Sequence, residues 1–515
     1  MQKFTFYFLF FLISVPLYAQ LPPIIWQKCL GGSGYDTSVD TKQAQDGSYM
    51  VVGMTKSNDG DVTGYHGQYD LWTVKLDPNG NILWNKAIGG TQDEYASSVV
   101  FTADGGAVIA GYTKSTDGDM IGNPSTNPQH QMMFALKIDS SGNIVWKKFI
   151  GPNSGGSTWG ITQVSSGDFL VCGYSFVGNS LTGSFDGIVI KLDSSGNTIW
   201  ENFYGGSSSD QIQRIIETSD GNYFCGGSTS TGDDNLLSGW GGLDLWLIKL
   251  DTDGNRLWQG SYGTNGGADS FRSLIETSDT GFLISSYTSG TGGARSQALG
   301  GEDVWILKLS NTGILEWEKS YGGNWRDRPM ALYQSVNGYI IGGQTNSFNQ
   351  GDTIGAIGGS DFWIFKIDQT GSFVWETTFG GTGNDILASF YVTSDNGYIM
   401  SGETHSNDGD VSGNHSPGIL PTQADCWVLK LGEEALSVKD IEKTARLIYP
   451  NPTKDILHLP FSNKDQISIY DISGKLVKQL MWKEEVLNVQ NLQKGMYILK
   501  VSDGKYTQSY KFIKQ

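Results

Sequence analysis

Seven tryptophans, Trp26, Trp84, Trp146, Trp200, Trp258, Trp317 and Trp375, stand 58, 62, 54, 58, 59 and 58 residues apart. Seven lysines, Lys75, Lys137, Lys191, Lys249, Lys308, Lys366 and Lys430, keep step with them. A period this long commits the chain to a repeat architecture. The unit is clearest at residues 70–88. Leu71, Thr73 and Lys75 alternate with Trp72, Val74 and Leu76, the turn Asp77-Pro78-Asn79-Gly80 follows, and Asn81 to Ile88 returns. Alternation around such a turn predicts an antiparallel hairpin, with Pro78 presetting φ and Gly80 taking the left-handed position. A second hairpin spans 94–111, with equivalents at 211–227 and 386–402 and turns such as Asp104-Gly105-Gly106. Each repeat therefore holds four short strands, here A to D.

Four antiparallel strands in each of seven repeats is the arithmetic of a seven-bladed β-propeller, an all-β fold over residues 20–431. The phase of the repeat predicts how the ring closes. The first Trp strand, Ile24 to Leu30, precedes any A strand, and the last repeat ends after its C strand at 425–431. The N-terminal strand is expected to complete the last blade, removing the edges an open stack would expose. Counting across the 70–88 hairpin with its extra residue at Gly80 sets Asp77 against Asn81 and Leu71 against Ala87. Cys426 and Cys29 occupy the last two positions. They are expected to face each other and form a disulfide, worth about 5–6 kcal/mol in the chain-entropy model. Cys172 and Cys225 fall on B strands of neighbouring blades, too far apart to pair.

Seven Trp at one repeat position read as packing, each indole filling a wedge between blades and donating its N–H to a carbonyl. The stretches KLDPNGNILW, KIDSSGNIVW, KLDSSGNTIW and KLDTDGNRLW give residues 24–431 a resemblance to the quinoprotein-like propellers and to secreted propellers of Bacteroidota. That resemblance speaks to fold and does not establish a quinone cofactor. The Thr usual before the family's Gly is Asn79, Ser141, Ser195 or Asp253 here.

Net charge is −18, which argues against nucleic acid or an anionic membrane as partner. The charge is uneven: residues 447–515 hold ten Lys against six acidic residues, a balance of +4 that leaves −22 for the remainder. Residues 1–19 read as a secretory signal peptide, with Lys3, the apolar run Phe4 to Val15, and Leu17-Tyr18-Ala19 before Gln20. No Cys follows that site, so no lipid anchor is expected, and no later stretch reads as a membrane-spanning helix.

The longest insertions lie between strands B and C, on one rim. Three of them carry Asp-Gly-Asp: Asp59 and Asp61, Asp117 and Asp119, Asp408 and Asp410. Paired carboxylates offer hard oxygen ligands to Ca²⁺, so these six are candidate metal ligands, although six to eight oxygens are needed. The competing reading is a turn in which Asp bonds local backbone and Gly takes φ > 0. His66 and His415 follow two of these runs, without a recognised zinc spacing. No Gly-x-Ser-x-Gly elbow stands between a strand and a helix, and no acidic pair is singled out for glycoside hydrolysis, so no catalytic residue is assigned.

Residues 432–446 read as a linker, and 447–515 as a small β-sandwich from the alternation in ILHLPF, QISIYDI, KLVKQL, MYILKV and SYKFIK. The tail closely resembles the type A C-terminal sorting domain of the type IX secretion system. The resemblance rests on Tyr449-Pro450-Asn451-Pro452, the 471–475 turn with Gly474, the stretch from Leu492 through Gly495 to Tyr497, and the closing 511–514. It implies handling by that secretion machinery, passage through the outer membrane, removal of the tail, and release or surface attachment.

The expectation is an exported, monomeric propeller serving as a binding or adhesion module for a glycan, peptide or protein held on one rim. An extracellular enzyme and a structural coat component are the alternatives. Carboxylates, His or Tyr converging at the channel mouth would favour the enzyme, and a flat, uncharged mouth would favour adhesion.

Overall fold

The computed structural model describes residues 21–125, 127, 130–176, 184–230, 242–348, 351–353, 355–415, 423–434, 453–458, 466–471, 475–481, 486–502 and 507–515. The expected signal peptide, Tyr449 to Pro452, Gly474 and most of the linker lie outside them. The chain divides into two compact units, 19–435 and a second containing 436–515.

Among the described residues the first unit is all-β, apart from one 3-10 turn at Gly118–Met120. Its described strands form seven four-stranded antiparallel sheets. The predicted hairpins are all present: Asp36–Gln43, Tyr49–Thr55, Asp70–Leu76 and Ile82–Ile88 make strands A to D of the first sheet. In the last, Ile24–Leu30 pairs with Asp425–Leu431, beside Tyr398–Thr404 and Asp385–Val392. The C–D turns form as expected. Asp77 Oδ1 accepts from the N–H groups of Asn79 and Asn81, each at 2.8 Å, and Gly80 sits at φ +80°.

Hydrophobic clusters bridge successive sheets. One joins Met50 and Val52 of the first sheet to Ile109 and Phe134 of the second. Another joins Tyr49, Trp72 and Val74 of the first to Ile399, Cys426 and Val428 of the last. The inner strand Asp36–Gln43 packs against both Glu94–Phe101 and Asp385–Val392.

The aligned tryptophans do what packing demands. Trp26 Nε1 donates to Pro78 O at 3.0 Å, Trp84 Nε1 to Ser140 O at 3.0 Å and Trp200 Nε1 to Thr252 O at 3.2 Å. Each acceptor lies in the C–D turn of the following sheet, and the turn glycine lies under the indole. A Cβ on Gly142 would stand 2.7 Å from the Trp84 ring. Six of the seven aligned lysines reach across to the A–B turn: Lys137 meets Asp104 at 2.7 Å and Lys430 meets Asp395 at 2.9 Å. Lys137 and Thr102 hold the Asp104 carboxyl down at about 2. The largest fully buried side chains are other tryptophans, Trp72, Trp246, Trp305, Trp363 and Trp427 on the C strands. Residues 432–434, expected as linker, are tied to the sheets. Gly432 N donates to Pro23 O at 2.8 Å, and Glu434 accepts from Lys366 and from Trp375 Nε1.

One expectation is corrected. Cys29 faces Trp427 and Cys426 faces Leu30, and all four thiols are free and buried. The outer hairpin carries a bulge beyond its turn: Leu76 opposes Ile82 and Lys75 opposes Trp84, leaving Leu83 over. The same extra residue is Ile25 in the closing pair. One added residue moves each following side chain to the other face. Cys29 and Cys426 therefore join different cores.

In the second unit Leu476–Met481, Gln466–Asp471, Gly495–Ser502 and Thr507–Lys514 form one sheet in that order, and Ile456–His458 pairs with Val486–Asn488. The two sheets share a core of Leu457, Leu487, Ile467, Ile469, Leu499 and Phe512. Of the sorting-motif residues described, Gly495 takes φ +158°, and Tyr497 stacks on Phe512 at 5.4 Å while donating to Gln493 O at 2.9 Å.

Candidate functional site

Every A strand is also bulged, each time at one unpaired residue. These are Val39, Ser97, Trp159, Gln213, Arg272, Met330 and Ala388. A bulge bends its strand and re-aims the extra side chain. All seven line one cavity of about 460 Å³, joined by Tyr95, Tyr112, Tyr174 and Arg214 among others. No repeat signal in the sequence marks these positions, because their side chains differ in every sheet.

The cavity wall is polar, aromatic and cationic. Trp159 Nε1, Gln213 Oε1 and Arg272 Nε are buried with no hydrogen-bond partner among the described residues. Arg214 Nη1 donates to Trp159 O at 3.1 Å, and Arg272 lies 5.0 Å from the Tyr287 ring centroid. Burial, with Arg328 and Arg214 nearby, lowers the Arg272 pKa against the pull of Tyr287. Asp40, an acid that interacts with Arg214, is committed: its carboxylate meets Lys42 at 3.1 Å and accepts from Ser98 Oγ at 2.9 Å and Val99 N at 3.1 Å.

At the end of the sheets where the A strands begin, aromatic rings run in series. Tyr35 and Tyr69 are 6.1 Å apart, Tyr69 and Tyr95 5.7 Å, and Tyr95 stacks on Tyr112 at 4.9 Å. Tyr35 Oη donates to Glu403, and His405 Nε2 lies 3.8 Å from Glu403. The Glu403 carboxylate, accepting from the imidazole, raises the His405 pKa, and burial raises that of Tyr35.

The Asp-Gly-Asp loops clamp the glycine pair between strands D and A. Asp117 accepts from Thr91 N and Thr91 Oγ1, both at 2.9 Å, and Asp119 from Gly89 N at 3.2 Å. Asp408 and Asp410 repeat this on Thr382 and Gly380, and Asp59 and Asp61 on Ser33 and Gly31. Among the described residues no three His, Cys, Asp or Glu side chains converge as a metal site.

The glycine pair introduces a set of carboxylates that sequence reasoning missed. Asp36 accepts from Gly32 N at 2.8 Å, Thr55 Oγ1 at 2.5 Å and Ser57 Oγ at 2.6 Å. Glu94, Asp327 and Asp385 repeat the arrangement. The signal was present as Gly-Gly-x-x-x-Asp/Glu followed by Thr-x-Ser. A second carboxylate begins several C strands. His66 Nδ1 meets Asp70 at 3.0 Å, His415 Nδ1 meets Asp425 at 2.6 Å, and Arg295 meets Asp303 at 2.5 Å. Burial pushes the Asp425 carboxyl up to about 6. Among the described residues Asp361 has no such cation, and it accepts from Ile357 N at 2.5 Å; burial, then Asp385 and Asp410, push it up to about 8.

Residues 447–515 match the family described as secretion system C-terminal sorting domain. A curated relative, the regulatory protein FlaEY of Caulobacter vibrioides, is 24% identical over 380 residues, which is 64% of this chain and 39% of FlaEY. Two solved structures are similar at low identity. PorZ of Porphyromonas gingivalis, described as a surface component of the type IX secretion system, is 11% identical with a TM-score of 0.39, over 96% of this chain and 61% of that one. The Pan2 WD40 domain of Neurospora crassa is 11% identical with a TM-score of 0.43, over 79% and 96%. Among the described residues no helix is long and apolar enough to cross a membrane. The matched tail marks this chain as an export substrate of the type IX secretion system, destined for the cell surface or release from it.

Proposed function

We propose that residues 20–431 form a seven-bladed propeller closed by the N-terminal strand, and that it acts outside the cell as a binding module. Its ligand enters the cavity enclosed by the inner strands, from the end that carries the tyrosine series. The observation that carries this reading is the set of seven inner bulges, which bring seven different side chains to one cavity. A purely structural coat protein would have no use for buried, unpartnered polar atoms in that wall, since each costs about 1–3 kcal/mol unless something satisfies it. The test is a glycan and peptide array screened with the full chain and with Ala388→Trp, which places an indole in the cavity. Binding that disappears in the variant, with thermal stability retained, supports the reading. Binding indifferent to the variant refutes it.

The enzyme reading draws support from one place, the Tyr35–Glu403–His405 cluster. Tyr35 stays protonated and holds Glu403, which in turn favours a cationic His405, a general acid in waiting. Turnover of an array ligand that His405→Gln abolishes, with binding unchanged, would promote that reading over simple binding.

A further inference from the structure

We propose, resting on the binding reading above, that the ligand is a saccharide bearing a carboxylate. Positive charge is concentrated at this cavity. The chain carries −18 overall, yet two of its seven arginines, Arg214 and Arg272, line this one cavity, and Arg328 stacks on the same Tyr287 ring as Arg272, with 4.6 Å to the centroid. Arg328 is neutralised by Glu302 at 2.5 Å, and Asp40 is held by Lys42 and its backbone and hydroxyl donors. Among the described residues Arg272 has no carboxylate partner and keeps Nε unpaired, while Arg214 spends Nη1 on backbone carbonyls. A guanidinium lining a cavity recognises a planar anion through parallel N–H donors, and a carboxylate matches that geometry.

The rest of the wall selects a sugar over a peptide end. Gln213 Oε1 is an unpaired acceptor that suits a hydroxyl donor, and Trp159 Nε1 an unpaired donor that suits a ring or hydroxyl oxygen. Tyr95 and Tyr112 present flat, partly exposed rings to the same space, on which the apolar face of a sugar packs. A volume of about 460 Å³ accommodates one or two sugar units. Alternating hydroxyl-bearing edges and apolar faces need scattered donors and acceptors between aromatic rings, which is the composition of this wall.

The experiment titrates the full chain calorimetrically with oligosaccharides of galacturonic and glucuronic acid, with their neutral galactose and glucose counterparts, and with short peptides bearing a free C-terminus. The acidic oligosaccharides are expected to bind at least about tenfold more tightly than the neutral ones, with an affinity that falls as salt rises. Arg272→Gln is expected to remove about tenfold or more of that affinity, and Arg272→Lys, which keeps the charge without the fork, to recover part of it. Equal binding of neutral oligosaccharides, blocked by Ala388→Trp, overturns the acidic preference while leaving the cavity as a binding site. Peptide binding in place of saccharide binding overturns the sugar assignment. Acidic saccharide binding that survives both Arg272→Gln and Arg214→Gln overturns the site itself.

Discussion

The innermost and outermost strands of each sheet carry the same irregularity, one extra residue, and put it to opposite uses. On the outer strand that residue is apolar in six of the seven sheets: Ile25, Leu83, Val145, Ile199, Leu257 and Val374, all about half exposed. On the inner strand it is a different side chain in every sheet, from Ala388 to Trp159. The outer bulge sits one residue before the aligned tryptophan, and so sets that indole over the next turn. Its neighbourhood recurs because the same interface recurs. The inner bulge faces the cavity, and its contacts with neighbouring sheets differ from sheet to sheet: Val39 and Met330 pack on the cores beside them, and Ser97 Oγ donates to Thr158 O at 2.7 Å. With no single repeated interface to serve, the position varies, and that variety is what a ligand-selective wall needs.

The sharpest test of this contrast pits a packing tryptophan against the cavity tryptophan. Trp305→Ala, at a fully buried C-strand position, is expected to cost about 3–5 kcal/mol in denaturant unfolding. Trp159→Ala, on the inner bulge, is expected to cost under about 1 kcal/mol. A comparable loss at the two sites would break the distinction between packing and cavity positions. Next in size is Gly142→Ala. The left-handed φ of +78° and the Trp84 ring under the missing Cβ both oppose it, for an expected loss of about 1–3 kcal/mol. The turn at Gly221, with φ +80° and nothing within 4 Å of a Cβ, should lose less on the same change.

A smaller effect is read by pH. The Asp361 carboxyl is pushed up to about 8, so from about pH 4 to pH 8 the folded chain holds a proton that the unfolded chain has released. Stability therefore falls as pH rises through that window. Asp361→Asn should flatten the fall, raising the melting temperature at pH 9 by about 2 °C while changing it little at pH 4. A pH profile unchanged by the variant would show that this carboxyl ionises normally. The smallest effect is expected for Ca²⁺. The carboxylates of Asp59, Asp117 and Asp408 are already engaged by N–H and hydroxyl donors, so millimolar Ca²⁺ should leave the melting temperature unmoved. A clear rise, lost in Asp117→Asn, would reinstate these loops as metal ligands.

Much of the fold was legible because its determinants are local and repeated. Asp77-Pro78-Asn79-Gly80 specifies its own turn, and the offset between the first Trp strand and the last C strand foretold their pairing. The cysteine pairing failed for a reason of register. The bulge sits at Leu83 and its equivalents, and a one-residue error there exchanges the two faces of a strand. The Asp-Gly-Asp runs were legible as chemistry but not as partners, since Gly31, Gly89 and Gly380 lie 30 residues upstream of the aspartates that bond them.

What the amino-acid order determined by itself is the repeat, its hairpins, and a tail that routes the protein out of the cell. These depend on turn chemistry and alternation within a few residues of each other. Which seven side chains share the cavity was decided only when the inner strands came together. A bulge is placed by the packing on both sides of a strand, and nothing within the strand's own sequence records both.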